Sequence, residues 1–237
     1  MMMTEPLVSV AMPCYNEEKY IRESIESVLN QTYRNVEIVV VDDGSTDGSA
    51  DIIREYPVRL RQQENLGGVE ATNNAVASTT GEFVMPMSTD DILDSHYLEK
   101  TVPILADSDP KVSTVYTWIQ AFGDEHWLHR CPRFDFDLLK HNYNYINGVL
   151  RRSAWDAMGG MRPIPIEGRP RGCGLEDWDL NLRLAKAGWD FILVPEPLYF
   201  LRVHAGSNSV QMAVRNPERQ AAVRRLNPTI FPVEGNI

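Results

Sequence analysis

The stretch Val36-Glu37-Ile38-Val39-Val40-Val41-Asp42-Asp43-Gly44-Ser45-Thr46-Asp47 constrains the fold more than any other part of the chain. A β-branched apolar run stops abruptly at two carboxylates and a turn. A strand that is apolar on both faces is covered on both faces, as in parallel sheets flanked by helices. Such sheets bind ligands beyond the carboxyl ends of their strands, where Asp42 and Asp43 fall. A second strand-like run, Glu82–Met87, also leads into paired carboxylates, Asp90 and Asp91.

The intervening segments fit the same scheme. Leu7–Met12 reads as a strand closed by Pro13. Asn16 is suited to cap a helix, with Glu17 and Glu18 in its first turn. Ile21, Ile25, Val28 and Leu29 then recur at helical spacing. Ser45 or Asp47 would cap a helix over Ser49–Glu55, which Pro57 ends. Val58–Arg61 is a short strand, and Val69–Ser78 a helix after the turn Asn65-Leu66-Gly67-Gly68. The order β-α-β-α-β-α-β predicts an α/β fold with a mainly parallel sheet and helices on both faces. The 237 residues suffice for one such domain with a substantial core.

The second half is less regular. A helix is expected over His96–Ala106 and a strand over Val112–Trp118. Phe122–Asn144 is aromatic and charged without a period, and is read as a substrate-facing insertion. Tyr145–Leu150 reads as a strand and Ser153–Met158 as a helical turn. Gly159–Gly174 holds five glycines and three prolines, so it is a loop with special backbone demands. Leu175–Ala187 is a helix, and Phe191–Val194 and Leu198–Val203 are short strands around Pro195 and Pro197. The residues after Val210 lack strong periodicity, so 211–237 is read as a tail.

Several function classes are disfavoured. A formal net charge of -10 argues against nonspecific nucleic-acid binding, which needs basic surface. The three cysteines, Cys14, Cys131 and Cys173, have neither disulfide-framework nor zinc-ligand spacing, which suggests a reducing, cytoplasmic setting. No apolar run approaches the ~20 residues of a membrane span, which leaves only peripheral membrane association open. The first residues lack the character of a signal peptide. The dinucleotide fingerprint, the P-loop and the nucleophile elbow are all absent.

Two neighbouring strand ends would gather Asp42, Asp43, Asp90 and Asp91 on one rim. Such a cluster is costly without cations or hydrogen bonds, and a divalent metal with bound phosphates would supply the charge. The plainer alternative for Asp42-Asp43-Gly44-Ser45 is a turn and helix cap. Glu176-Asp177-Trp178 is either a helix start complementing the dipole or, given the glycine-rich loop before it, part of a ligand site. His204, in a polar turn after an apolar strand, is either a structural histidine or a ligand.

Taken in order, these residues resemble a known family. Val8-Ser9-Val10-Ala11-Met12-Pro13-Cys14-Tyr15-Asn16-Glu17 and Val39–Asp47 are similar to the amino-terminal half of family-2 inverting glycosyltransferases of the GT-A fold. Asn65-x-Gly67, Ala71-Thr72-Asn73, Gly81-Glu82-Phe83, Asp90-Asp91, Gly159-Gly160, Glu176-Asp177-Trp178, and Arg202-Val203-His204 with Ser207 and Ser209 continue the match. The resemblance runs from Leu7 to Ser209 and implies a single GT-A domain over 1–210. Its donor-binding half would be about 7–95, and its acceptor and catalytic half about 96–210.

The resemblance also implies roles. Pro13, Tyr15 and Glu17 would line the nucleotide pocket. Asp43 would accept from the base, commonly uracil N3–H, and Asn73 would lie beside the donor. Asp90 would contact the donor, and Asp91 and His204 would hold Mn²⁺ or Mg²⁺ on its diphosphate. Asp177 would be the general base that activates a hydroxyl of a carbohydrate or glycan-bearing acceptor, in polysaccharide or glycan biosynthesis. Two positions depart from the pattern: Ser88 stands where the first Asp of Asp-Ser-Asp-Asp is common, and Thr72 where Arg is frequent. A nucleotidyltransferase of similar fold and a non-catalytic sugar-nucleotide binding module remain as alternatives.

Overall fold

A computed structural model describes residues 5–135, 148–168, 172, 174–205 and 217–231. The expected β-α alternation fills the first part of the chain: β1 (Val8–Cys14), α1 (Ile21–Leu29), β2 (Val36–Asp42), α2 (Ser49–Arg54), β3 (Arg59–Gln62), α3 (Gly68–Ala77) and β4 (Phe83–Pro86). There follow β5 (Ile92–Leu93), α4 (Tyr97–Asp107), β6 (Val112–Gly123), β7 (Leu128–His129) and β8 (Val149–Arg151). The chain continues with α5 (Arg152–Met158), α6 (Glu176–Lys186), β9 (Asp190–Val203) and α7 (Pro217–Leu226). The strands form one sheet in the order β3-β2-β1-β4-β8-β6-β9-β5, with β7 beside β6.

The first four strands are parallel, with Val8 opposite both Val36 and Phe83. Strand β8 runs antiparallel to β4 and β6, and joins this half to the parallel pair β6–β9. Val8, Val10, Ala11, Met12, Val39 and Val40 are wholly buried, as an apolar strand between two helical layers should be. Helix α1 buries Ile21, Ser24, Ile25 and Val28, one stripe at helical spacing. Cys14 and Cys131 are buried free thiols, and burial pushes each up to about 12, so neither is a ready nucleophile.

Three local expectations are revised. Pro13 does not close β1, which continues to Cys14. Met87 N donates to Ala11 O and Thr89 Oγ1 to Pro13 O, so this side of β1 faces β4. The pairing with β4 has already ended at Ala11↔Pro86, so the missing N–H of Pro13 breaks no ladder bond. The two short strands expected around Pro195 and Pro197 are one strand. The irregularity opposite Trp118, where the register steps from Val194 to Pro197, accommodates both prolines.

The third revision concerns the carboxyl end, where part of the expected tail is α7. Ala222 and Val223 pack with Ile164, Trp178, Leu182 and Ile230 in a small second core. Ser207, Ser209 and Cys173 lie outside the described residues, as do parts of the expected Phe122–Asn144 and Tyr145–Leu150 segments. No helix among the described residues is long and apolar enough to cross a membrane.

The second core is tied to the first by one buried carboxylate. Asp179, fully buried, accepts from Arg162 at 2.8 and 2.6 Å, from Arg183 at 2.8 Å and from Asn227 at 2.8 Å. Burial raises its pKa. The hydrogen bonds from Arg162 and Asn227, with the charge of Arg183, outweigh burial and hold it below the usual range. Its contribution to stability is therefore present above the unfolded-state value of about 3.9. That contribution is lost as pH falls through the lower folded value. Asp179→Ala would leave two arginines without their shared anion and should cost about 3 kcal/mol in urea unfolding at neutral pH. A loss below about 1 kcal/mol, the range of exposed pairs, would contradict this assignment.

Candidate active site

The ends of β1, β2 and β4 carry most of the expected site residues onto one rim. The loops after β1 and β2 are laced together there. Asn16 N donates to Ser45 Oγ at 2.9 Å, and Thr46 N to Asn16 Oδ1 at 2.8 Å. Glu17 N donates to Ser49 Oγ at 2.8 Å, Glu18 N to Asp47 Oδ2 at 3.1 Å, and Gly48 N to Glu18 Oε2 at 2.8 Å. Asn16 has φ +57°, and α1 starts at Ile21 with no side-chain cap. Asn16 is thus a brace between loops rather than the expected cap. Tyr15 stands exposed at the loop tip, while Pro13 and Glu17 are half-buried.

Asp42 and Asp43 are both buried, and both are engaged by the protein. Asp42 accepts from Ser45 N and Gln62 Nε2, each at 2.9 Å. Asp43 accepts from Leu66 N and Gly67 N at 2.8 Å and from Gln63 Nε2 at 2.7 Å. It therefore secures the turn from which α3 starts, where Gly67 has φ +96°. A carboxylate offers about four acceptor directions, so roughly one remains at Asp43 for a further donor.

The second carboxylate pair divides its roles. Asp91, expected to hold a metal, is 2% exposed. It accepts from Tyr199 Oη at 2.7 Å and from Arg202 N at 2.8 Å, one on each oxygen. Asp90 is the carboxylate that meets His204, with Nε2 and Oδ2 3.2 Å apart. Asp91 thus faces the interior, while the partly exposed Asp90 faces the rim. Arg202 donates to Asp90 O at 2.8 Å, and lies over the rings of Tyr20 and Phe122. Tyr20 in turn packs against the His204 ring, with centroids 4.6 Å apart.

Among the described residues, negative charge on this rim exceeds what the cations there balance. Burial, and then the charges of Asp90 and Asp47, push Glu17 up to about 7 against the pull of Arg202. Burial also raises Asp90 despite the hydrogen bond from His204. Among the described residues, no three His, Cys, Asp or Glu side chains form a group that would hold a metal by themselves. Asp90 and His204, beside the raised Glu17, still form a hard oxygen-and-nitrogen pair in an electronegative setting, which suits a divalent cation completed by a ligand's oxygens.

Asp177 lies in the first turn of α6. It is half-buried, and its Oδ1 accepts from Trp178 N at 2.7 Å. Trp178 and Glu176 beside it are buried. A Cβ at Gly172 would lie 2.6 Å from Glu176 Oε1 and 3.5 Å from Val69, so Gly172 sits close against the starts of α6 and α3. Asn73 does not point its amide at an open pocket, since both ends bond the backbone of Met161, at 2.8 and 3.0 Å. Thr72, in place of the frequent Arg, is buried and returns its hydroxyl to Gly68 O at 2.7 Å. Ser88 is exposed on the rim.

Sequence reasoning missed Asp179, Arg162, Arg183 and Tyr199. Only Asp179 and Arg183 carried a signal, an acid four residues before a base on one helix.

Comparison with known proteins places the chain. The sequence model described as Glycosyl transferase family 2 matches residues 9–167. Glycosyltransferase GlyG of Streptococcus pneumoniae serotype 4 (strain ATCC BAA-334 / TIGR4) is 36% identical over 158 residues, covering 63% of this chain and 51% of GlyG. The chain thus spans about half the length of that relative. The crystal structure of S. aureus TarS 1–349 in complex with UDP superposes with TM-score 0.74 at 20% identity, covering 94% of this chain and 65% of that one. The mannosyltransferase PcManGT from Pyrobaculum calidifontis, in complex with GDP-Man and Mn²⁺, superposes with TM-score 0.62 at 21% identity, over 96% of this chain and 72% of its own. The shared architecture is the expected GT-A fold, and the chain belongs to glycosyl transferase family 2.

Proposed function

We propose that this chain transfers a sugar from a nucleoside-diphosphate donor, UDP-linked or similar, to an acceptor hydroxyl with inversion, in the cytoplasm. The observation that carries this reading is the rim itself: Asp43, Glu17 and the Asp90–His204 pair sit at the ends of the parallel strands, in a family-2 chain. UDP in TarS, and GDP-Man with Mn²⁺ in PcManGT, support a nucleotide-sugar donor and a divalent cation.

Tyr15 and Pro13 flank the nucleotide, and the free acceptor direction of Asp43 takes an N–H of the base. Asp90 and His204 would hold Mn²⁺ or Mg²⁺, which would supply positive charge against the departing diphosphate. Asp91, bonded by Tyr199 and Arg202, anchors the Arg202 that also bonds Asp90 O. An oxygen of the acceptor hydroxyl forms the new bond to the anomeric carbon opposite the leaving group, and the old carbon–oxygen bond breaks with its electron pair. Asp177 accepts the hydroxyl proton as that attack proceeds. The Trp178 N–H bond fixes the orientation of the Asp177 carboxylate.

Two expectations test the reading. Asp177→Asn should reduce transfer, or donor hydrolysis across a nucleotide-sugar panel, by at least about a hundredfold, the scale of a lost general base. Its affinity for UDP should stay within about twofold of the parent. Turnover at the parent rate in that variant would remove Asp177 from the mechanism. The second concerns pH. With its folded pKa raised to about 7, Glu17 contributes stability that is full below the free-glutamate value and is lost as pH rises through about 7. Thermal melts should therefore show a fall in stability over that window, which Mg²⁺ flattens. Melts with the same pH profile with and without Mg²⁺ would argue against a cation at this rim.

A further inference from the structure

Helix α3 starts at the turn held by Asp43 and carries Asn73 in its second turn. Both polar atoms of the Asn73 amide are committed across 88 positions of sequence. Nδ2 donates to Met161 O at 2.8 Å, and Oδ1 accepts from Met161 N at 3.0 Å. Met161 lies in the segment that leads from α5 towards α6, and that segment is bonded to α6 on both sides of the clamp. Arg183 donates to Met158 O and Gly160 O, both at 2.8 Å, and Arg162 shares Asp179 with Arg183. Gly160, at φ +74°, makes the approach possible, since a Cβ there would lie 2.6 Å from Asn73 Oδ1 and 3.2 Å from the Trp155 ring. A continuous set of bonds therefore runs from Asp43 through α3, Asn73 and Met161 to Arg162, Arg183 and Asp179, in the same turn as Asp177.

We infer that Asn73 is a positioning residue, and that its two-point clamp on Met161 fixes the helix bearing Asp177 relative to the strand end bearing Asp43. The donor pocket and the base are then one rigid unit, and Asn73 acts without touching the donor. A displacement of about 1 Å of a reacting group costs on the order of a hundredfold in rate, so such a clamp matters for turnover more than for binding. This inference rests on the reading of Asp177 as the base.

The test compares Asn73→Ala with Gly160→Ala, which crowds the same contact from the Met161 side, along with the Trp155 ring, and strains a left-handed backbone, without altering α3. Three quantities are read: hydrogen exchange at the first turn of α6, affinity for UDP with Mg²⁺, and UDP release from UDP-GlcNAc at saturating donor with water as acceptor. Both variants should speed exchange at Glu176–Leu180 while leaving UDP affinity within about twofold, and should lower turnover about tenfold or more. The double variant should be little worse than either single one, because both break one contact. A tenfold loss of UDP affinity in Asn73→Ala with unchanged saturated turnover would make the amide a donor ligand and overturn the inference. Unchanged exchange would overturn it equally. If the parent protein fails to bind UDP, or Asp177→Asn keeps its turnover, the functional reading fails, while the exchange measurement still decides whether the clamp holds α6.

Discussion

Saturation of buried carboxylates is the constraint on which this structure turns. Parallel pairing of β1 with β2 and β4 brings five acidic side chains, Glu17, Asp42, Asp43, Asp90 and Asp91, to one end of the sheet. Each must find donors, find cations or give up its charge. Asp42 finds protein donors on both oxygens and Asp43 finds three; Asp91 also has a donor on each oxygen, yet burial and the charge of Asp90 still push it well above the usual carboxylate range. They build the rim. Asp90 has one histidine, and Glu17 answers by holding its proton towards neutrality. The residual charge marks where a ligand is needed, and separates the carboxylates that make structure from those left for chemistry.

The same accounting joins the two halves. Asp43 ends β2 but starts α3, so a residue read first as a base contact also sets the direction of a helix. Asp179 repeats the device in the second half, where one carboxylate gathers the loop after α5, α6 and the α7 end. Two buried acids, Asp43 with three donors and Asp179 with four, thus organise the elements on either side of the site.

How much was legible depended on the kind of signal. The β2 strand and its carboxylate end could be read because β-branched residues fill both faces. Asn16 was misread because asparagine suits a helix cap and a left-handed turn alike, and only the neighbouring loop decides between them. The prolines of β9 look like breaks, yet the sheet absorbs them at a register shift. Helix α7 offers only Ala222 and Val223 to its core, too little apolar spacing to stand out. Which of Asp90 and Asp91 faces the ligand depends on the bonds that Tyr199 and Arg202 of β9 make to Asp91, more than a hundred residues away. Asn73 matched a family position, but its partner lies far along the chain and left no local trace.

In the proposed reaction, the charge left unbalanced around Asp90 forms the cation and diphosphate site. Calorimetric titration of UDP into the protein with and without Mg²⁺ bears on it directly, with Asp90→Ala alongside. UDP binding should require the metal in the parent protein and be lost in the variant, whose melting temperature without ligand is maintained or raised by relief of the repulsion on Glu17. Equal UDP affinity with and without metal, unchanged by Asp90→Ala, would contradict it.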